Sequence, residues 1–276
     1  MNNPELYQEC NIIQKTDALS SLKKYASKLK WKKNNNKVVD LGCGDGSVTN
    51  ILMEFLPTDY QLLGCDISEN MVMYASNHHR NERTSFTLLD ISGHLPKRMR
   101  GYFDHVFSFY ALNWVADQKK AFENIFNLLD YDGQCLLTLA GYHTIHDVYR
   151  ILSRNSKWST WINDVEKYIS PYHDSENPDA SIMKLMQAIG FVDCHVECRD
   201  MVFSYENEDI MRKHTLAVNP FRIPAELHDD FIVDYIQALK DIAISRNAKT
   251  EISSKGFTLY YKLLILYGRK PTISEI

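Results

Sequence analysis

The spacing of apolar positions changes several times along the chain, and each change predicts a different element. Ala18, Leu19, Leu22, Ala26 and Leu29 recur at helical spacing, which predicts an amphipathic helix before the first strand. Apolar strand-like runs then alternate with helical segments as far as about residue 140, which predicts parallel βαβ units. The predicted strands lie in KVVDLG, YQLLGCDI, TSFTLLDI, FDHVFSFYALNWV and DGQCLLTLA, and the predicted helices in SVTNILMEFL, ENMVMYASNHH and QKKAFENIFNLL.

The alternation stops near residue 141. Residues 142–189 are helical, aromatic and loop-rich, GFVDCHVECRDMVF restores a strand, and a second helical block covers roughly 206–246. A terminal strand is predicted from Thr258 to Gly268. The order predicts an α/β fold with a doubly wound, seven-stranded, Rossmann-like sheet and helical cap insertions over the carboxyl ends of its strands.

Composition and charge narrow the class of protein. With 276 residues, 45% hydrophobic and 24% charged content, the chain is typical of soluble globular proteins. A net charge of -4 gives no electrostatic case for nucleic acid or an anionic membrane as a partner. The start MNNPELYQEC is unlike a signal sequence, and TLYYKLLILYG is too short for a bilayer span. Six scattered cysteines predict reduced thiols and a cytoplasmic location.

Three glycines lie where the first predicted strand turns into a helix. Gly42, Gly44 and Gly46 carry no Cβ atoms, so the backbone can turn sharply and approach a ligand closely. The spacing GxGxG differs from the GxGxxG of dinucleotide binders, and no GxxxxGK[ST] element for a nucleotide triphosphate is present. A plain tight turn is the alternative interpretation.

Two aspartates near the ends of consecutive strands indicate which kind of ligand the glycine turn approaches. Asp66 is predicted to end the second strand, where a carboxylate can accept both hydroxyls of a ribose. Asp90 is predicted to end the third strand, where it can meet an adenine edge, with Ile67 and Ile91 beside the ring. Either aspartate alone could be a solvated strand-end residue. Together they indicate an adenosine site without a phosphate.

The motifs DLGCGDG, GCDIS and LLDI occur in the order found in the class I S-adenosylmethionine-dependent methyltransferases, and residues 36–140 resemble that family. The resemblance implies a Rossmann-like methyltransferase sheet, S-adenosylmethionine as the cofactor, and a glycine turn that holds its methionine portion. The cofactor contacts it implies are Gly42, Gly44, Asp66, Ile67, Asp90, Ile91 and, after the fourth strand, Phe109.

The segment SFYALNWV, just past the fourth strand, bears on the methyl acceptor. Asn113 is followed by Trp114 without the prolines that amino-base methyltransferases carry there, which disfavours nucleic acid and amide nitrogen. A metal is not expected, because the candidate pairs lack carboxylates or a fourth ligand. Those pairs are His78–His79, His143 with His146, and Cys194 with Cys198.

A carboxylate acceptor fits these residues better. Model acids titrate near pH ~4, so a carboxylate is ionised at neutral pH and needs no general base. Gln14 offers an amide N–H and Trp114 an indole N–H, and both donate without a positive charge that would weaken the nucleophile. The alternatives are a surface position for Gln14, just before the amphipathic helix, and a core position for Trp114.

LYQECNIIQKTDAL, DLGCGDGSVT and FSFYALNW together resemble the insect juvenile hormone acid methyltransferases over most of the chain. The resemblance implies that Gln14 and Trp114 hold the carboxylate of a small hydrophobic acid such as farnesoic acid. This sequence has Asn113 where that family usually has histidine, so its acceptor preference or turnover could differ. Two alternatives stay open: the acceptor could be another small or fatty carboxylic acid, or the chain could be a binding protein without catalysis.

The resemblance also divides the chain into three parts. We expect an N-terminal helical segment at 1–35 that closes the active site, a cofactor-binding core at 36–141, and cap insertions with the last strands at 142–276. Aromatic residues in the cap could wall the acceptor's apolar tail or pack the cap on the sheet, and exposed ones would allow a homodimer. These aromatic residues are Trp158, Trp161, Tyr168, Tyr172, Phe203, Phe221 and Tyr260.

Overall fold

Seven strands form one sheet in the order β3-β2-β1-β4-β5-β7-β6 in this computed structural model, which describes residues 3–245 and 257–275. Strands β1 to β5 pair in parallel, and β7 runs antiparallel to its neighbours β5 and β6. The strands are β1 (Asn36–Leu41), β2 (Tyr60–Asp66), β3 (Thr84–Leu88), β4 (Phe103–Phe109), β5 (Leu129–His143), β6 (Val192–Ser204) and β7 (Thr258–Arg269). The predicted seven-stranded α/β sheet is confirmed.

Nine α-helices flank this sheet within the described ranges. They are α1 (Pro4–Cys10), α2 (Ile12–Tyr25), α3 (Ser47–Met53), α4 (Glu69–His79), α5 (Gln118–Leu128), α6 (Thr144–Ser153), α7 (Pro178–Ile189), α8 (Glu208–Val218) and α9 (His228–Ser245). Helix α4 begins after Ser68, whose hydroxyl accepts the Met71 N–H, a typical N-cap. Arg246, the last residue of the predicted second helical block, lies outside the described residues.

Some predicted boundaries differ from the structure by a few residues. Helix α2 ends at Tyr25, so Ala26 lies in a following 3₁₀ turn and Leu29 beyond it. The third strand ends at Leu88, so Asp90 lies two residues past it. These shifts are at element ends, where local sequence determines the backbone least.

Alternate residues of each strand pack into separate cores on the two faces of the sheet. On one face, Val38 and Leu136 pack with Leu22 of α2 and Leu52 of α3. On the other face, their chain neighbours Val39 and Leu137 pack with Phe122 of α5 and Ile182 of α7. Because successive strand side chains point to opposite faces, the buried runs of the sequence supply both cores. The sheet is thereby a rigid support for its carboxyl edge.

Candidate active site

The turn between β1 and α3 brings backbone to the carboxyl edge of the sheet. Gly42 and Gly44 have left-handed φ angles of 75° and 55°. A Cβ atom on Gly42 would lie 2.0 Å from the Cβ of Ala111, whereas one on Gly44 would meet only Tyr7, with its Cε1 at 3.7 Å. Gly42 is therefore needed for packing against the segment after β4, and Gly44 leaves its backbone open to the space above it.

Asp66 ends β2, as predicted, and its carboxylate lies beside the glycine turn. One carboxylate oxygen accepts the Gly44 N–H at 2.9 Å and the other accepts the Ser68 N–H at 2.8 Å. These two bonds fix the side chain and leave acceptor capacity on both oxygens, since a carboxylate has about four lone-pair positions. The geometry suits a ligand with two neighbouring hydroxyl groups.

The remaining predicted cofactor residues lie along the same edge. The Asp90 carboxylate accepts the backbone N–H and the hydroxyl of Ser92 at 2.9 and 3.0 Å. Ile91 is buried, and Phe109 is buried as the last residue of β4 rather than past its end. Ile67 is 70% exposed, so an apolar side chain stands open at the rim of this site.

All seven predicted cofactor residues line a single open cavity, which we call the cofactor cavity. Its wall also includes Tyr7, Tyr110 and Trp114. The structure thus brings together the glycine turn, both strand-end aspartates and the apolar residues beside them.

Gln14 and Trp114 line a second cavity, which we call the acceptor cavity. Tyr7, Tyr110 and Trp114 line both cavities and form their common wall. The two cavities therefore adjoin at these three side chains.

Gln14 lies in the first turn of α2, not before the helix as the sequence suggested, and it is partly buried rather than at the surface. Its side-chain oxygen is buried and has no hydrogen-bond partner within the described residues. Buried polar atoms are normally paired in native proteins, so the unpaired oxygen indicates either a donor on a ligand or the reversed amide orientation, in which the Gln14 nitrogen faces the cavity.

Trp114 lies in a 3₁₀ turn, Leu112–Trp114, just past β4. With the Asn113 amide in the orientation that its neighbours require, the Trp114 indole N–H donates to the Asn113 oxygen at 3.0 Å. The Asn113 amide nitrogen in turn donates to the Tyr110 carbonyl at 3.1 Å. A ligand that takes the indole N–H must therefore replace or share the bond to Asn113.

The acceptor cavity contains no formal charge at neutral pH. None of the described residues in its wall is an acid, a lysine or an arginine, and its three histidines are His143, His146 and His214. Burial lowers the pKa of His143 to about 3 and that of His214 to about 4. Burial also lowers the pKa of His146 well below its ordinary value, so all three imidazoles are neutral at pH 7.

The sequence analysis did not identify several residues of these walls. Tyr7 and Tyr110 stand within motifs already quoted, but a tyrosine in a motif gives no local sign of facing a cavity. The three cavity histidines come from α6, α8 and the end of β5, which meet only in the folded chain. Asp40, under the glycine turn, is also buried, and the Thr49 hydroxyl donates to its carboxyl at 2.6 Å.

The cap aromatic residues do not line either cavity in the part of the chain that the structure describes. Trp158 is fully buried against Phe231, and its indole N–H donates to Asp234 at 2.8 Å. Phe221 packs edge-on against Tyr149 and Tyr168. Of the two alternatives that the sequence left open for these residues, the described contacts of Trp158 and Phe221 favour packing of the cap.

No group of three histidine, cysteine, aspartate or glutamate side chains among the described residues is placed to hold a metal ion. None of the described helices has the length and apolar character needed to cross a bilayer.

Comparison with known proteins gives the family. Residues 32–184 match the family model described as "Methyltransferase domain". The chain is 45% identical to juvenile hormone acid O-methyltransferase of Bombyx mori, covering 99% of both chains. It is 42% identical to the Drosophila melanogaster protein of the same name, covering 98% of this chain and 93% of that one.

Among solved structures, the YcgJ protein of Bacillus subtilis superposes with a TM-score of 0.62 at 17% identity, over 91% of this chain and 98% of that one, which shows the shared fold. The two insect relatives, by contrast, align with almost the whole of this chain at 42% and 45% identity, so the similarity extends to the sequence as well as the fold. The chain therefore belongs to the juvenile hormone acid O-methyltransferase family, within the methyltransferase-domain proteins.

Proposed function

We propose that this protein transfers a methyl group from S-adenosylmethionine to the carboxylate of farnesoic acid or juvenile hormone acid, giving the methyl ester. The observation that carries the proposal is a cavity without a charged wall residue that is lined by the neutral donors Gln14 and Trp114 and shares three aromatic wall residues with the cofactor cavity. The names of the two insect relatives support the choice of acid.

The residues of the cofactor cavity fit an adenosyl group. Asp66 has free acceptor capacity for ribose hydroxyls, and Ile67 and Ile91 offer apolar surface to an adenine ring. S-adenosylmethionine supplies an electrophilic methyl group carried on a sulfonium. The carboxylates of Asp66 and Asp90 favour a cationic ligand in this cavity over a neutral one.

The acceptor cavity fits a carboxylate that reacts without a general base. Gln14 and Trp114 would hold the oxygens through neutral N–H groups, which orient the nucleophile without neutralising it. The neutral imidazoles also leave the carboxylate reactive. An imidazolium would bind the anion tightly in its ground state and reduce its reactivity. Alignment and exclusion of water are then the main sources of rate, worth up to roughly 7–11 kcal/mol.

We also propose that residues 1–35 close the site over a core at 36–141, with the cap and last strands at 142–276. Tyr7 of α1 and Gln14 of α2 both reach the acceptor cavity. Helix α1 is fastened to α4 by a hydrogen bond from the Tyr74 hydroxyl to Gln8. The segment is therefore held across the carboxyl edge of the sheet, where it would keep water from the transfer.

We place the protein in the cytoplasm and expect no nucleic acid or membrane partner. The six free cysteines support a reducing compartment, and four of them are buried. The homodimer stays a prediction.

The direct test incubates the purified protein with S-adenosylmethionine labelled in its methyl group and with farnesoic acid, juvenile hormone acid or a saturated fatty acid of equal length. We expect labelled methyl ester from the first two acids at a higher kcat/KM than from the third. Absence of ester from every acid, with cofactor binding intact, would contradict methyl transfer to carboxylates. Preference for the fatty acid would support methyl transfer to a carboxylate but contradict the proposed acceptor.

The bond between Trp114 and Asn113 favours one alternative, a homologue that binds both ligands without catalysing the transfer. In that case the indole N–H would stay with Asn113 when the acid binds. Calorimetry would then show normal affinity for acid and cofactor, while the labelled assay would show no ester even at equimolar enzyme. Under this alternative, Asn113→His, which restores the residue usual in the family, would produce ester where the wild-type protein gives none.

A further inference from the structure

Tyr110 connects the helix that carries Gln14, through its side chain, with the turn that carries Trp114, through its backbone. It directly follows β4 and lines both the cofactor cavity and the acceptor cavity. Its φ of 59° lies in the left-handed region, which is unfavourable for a residue with a Cβ and persists only where surrounding contacts impose it.

Two hydrogen bonds fix Tyr110 in this conformation. Its backbone N–H donates to the Thr138 carbonyl of β5 at 2.8 Å. Its hydroxyl donates to the buried carboxyl of Asp17 at 2.5 Å. Asp17 lies on α2, three residues after Gln14, so this bond joins the turn after β4 to the helix that carries Gln14.

The carbonyl of Tyr110 continues the connection toward Trp114. It accepts the Asn113 amide N–H at 3.1 Å, and the Asn113 oxygen accepts the Trp114 indole N–H at 3.0 Å. A continuous series of hydrogen bonds thus runs from Asp17, through Tyr110 and Asn113, to the indole. Gln14 lies near one end of this series and Trp114 at the other.

We propose that Tyr110 is the positioning residue of the methyl transfer, setting the orientation of the Trp114 indole relative to Gln14. The inference rests on the proposed function, since it assumes that these two side chains hold the acceptor. Tyr110 makes this contribution through its neighbours, and it lines both cavities. Small displacements of aligned groups cost rate far more than affinity, so loss of its hydroxyl should act mainly on turnover.

The matched control is Tyr261, whose hydroxyl donates to the same Asp17 oxygen at 2.8 Å but which lies in neither cavity wall. Tyr110→Phe and Tyr261→Phe each remove one phenol from Asp17 and keep the ring. A merely structural role predicts similar losses for both variants. A positioning role predicts a single-turnover rate lowered roughly 10- to 100-fold in Tyr110→Phe, within about threefold of wild type in Tyr261→Phe, and cofactor affinity unchanged in both.

A second readout follows the indole directly. The ¹H–¹⁵N resonance of the Trp114 indole, assigned by its loss in Trp114→Phe, should shift in Tyr110→Phe and stay in place in Tyr261→Phe. If Tyr110→Phe does not fold, Asn113→Ala breaks the same series at its other end and should shift the resonance and lower the rate. Equal rates in the two phenylalanine variants, or an unmoved indole resonance, would overturn the inference. Absence of ester from the wild-type protein would instead contradict the proposed function, and the resonance would still test the positioning.

Discussion

The cofactor cavity takes most of its wall from strand ends and the turns that follow them, whereas the acceptor cavity takes much of its wall from helices α1, α2, α6 and α8. The two also differ in charge. Asp66 and Asp90 line the cofactor cavity, while no described residue of the acceptor wall is ionised at pH 7. Negative charge is thus placed where a cation would bind and is absent where an anion would bind.

The two walls also differ in what holds them together. In the cofactor cavity, the glycine turn packs closely against Ala111, and Asp66 has hydrogen-bond partners on both oxygens. In the acceptor cavity, four polar atoms are buried without partners in the described structure: Gln14 Oε1, His146 Nδ1, the Tyr149 hydroxyl and His214 Nε2. Substitutions should therefore cost stability in the first wall and activity in the second.

The largest expected effect is that of Gly42→Ala, which tests the packing of the cofactor wall. The new Cβ would collide with Ala111, and the chain cannot move away without opening the turn, so we expect a loss of ~3 kcal/mol or more. Gly101→Ala is the matched control, because Gly101 has a similar φ of 62° but no atom within 4 Å of the added Cβ. It should cost only the ~1–2 kcal/mol of left-handed strain. Urea unfolding measures both, and equal losses would show that backbone strain alone requires Gly42.

A smaller effect is expected in the acceptor wall for Gln14→Met. Because the Gln14 oxygen has no partner to lose, the free energy of unfolding should change by less than about 1 kcal/mol. Loss of a hydrogen bond to a charged carboxylate should lower kcat/KM for the acid roughly 10- to 100-fold, with cofactor affinity unchanged. Gln187→Met, on the exposed face of α7, is the control and should leave kcat/KM at the wild-type value. A stability loss in Gln14→Met larger than its activity loss would make Gln14 a structural residue.

The same contrast explains how much the sequence could predict. The sheet and the cofactor cavity depend on short contiguous signals, in which a buried strand, a turn and a polar residue follow one another directly. Parallel pairing then brings those strand ends together, so Asp66 and Asp90 could be located although β3 ends two residues early. Their roles as cofactor ligands stay predictions.

The acceptor cavity depends on helices that meet only through tertiary packing. Nothing local in the sequence shows that His146 of α6 and His214 of α8 share a wall, or that Asn113 accepts the indole N–H. The role of the cap aromatic residues stayed open in the sequence for a related reason: composition indicates that Trp158 will be buried but not which residues it packs against. Gln14 and Trp114 were identified through neutral donor chemistry and family resemblance, and the structure brings them to one cavity.

The smallest effect concerns Asp40, the buried carboxyl beneath the glycine turn. Burial raises its pKa to about 7, and the nearby Asp66 charge adds to this, while the Thr49 hydroxyl opposes it. The folded state therefore binds a proton that the unfolded chain, titrating near ~4, has already lost at neutral pH. This cost to stability is small below pH ~4, grows as pH rises toward 7, and is fully present above it.

Asp40→Asn removes the ionisation while keeping an oxygen for the Thr49 hydroxyl. Relative to wild type, its free energy of unfolding should rise by about 1 kcal/mol more at pH 8 than at pH 6, which widens the difference in Tm by a few degrees. Asp59→Asn, at an exposed position just before β2, is the control and should show no such trend. Thermal unfolding at the two pH values measures both variants. A difference between Asp40→Asn and wild type that stays constant with pH would mean that Asp40 is already ionised at pH 6, which would place a negative charge beneath the cofactor turn as well as beside it.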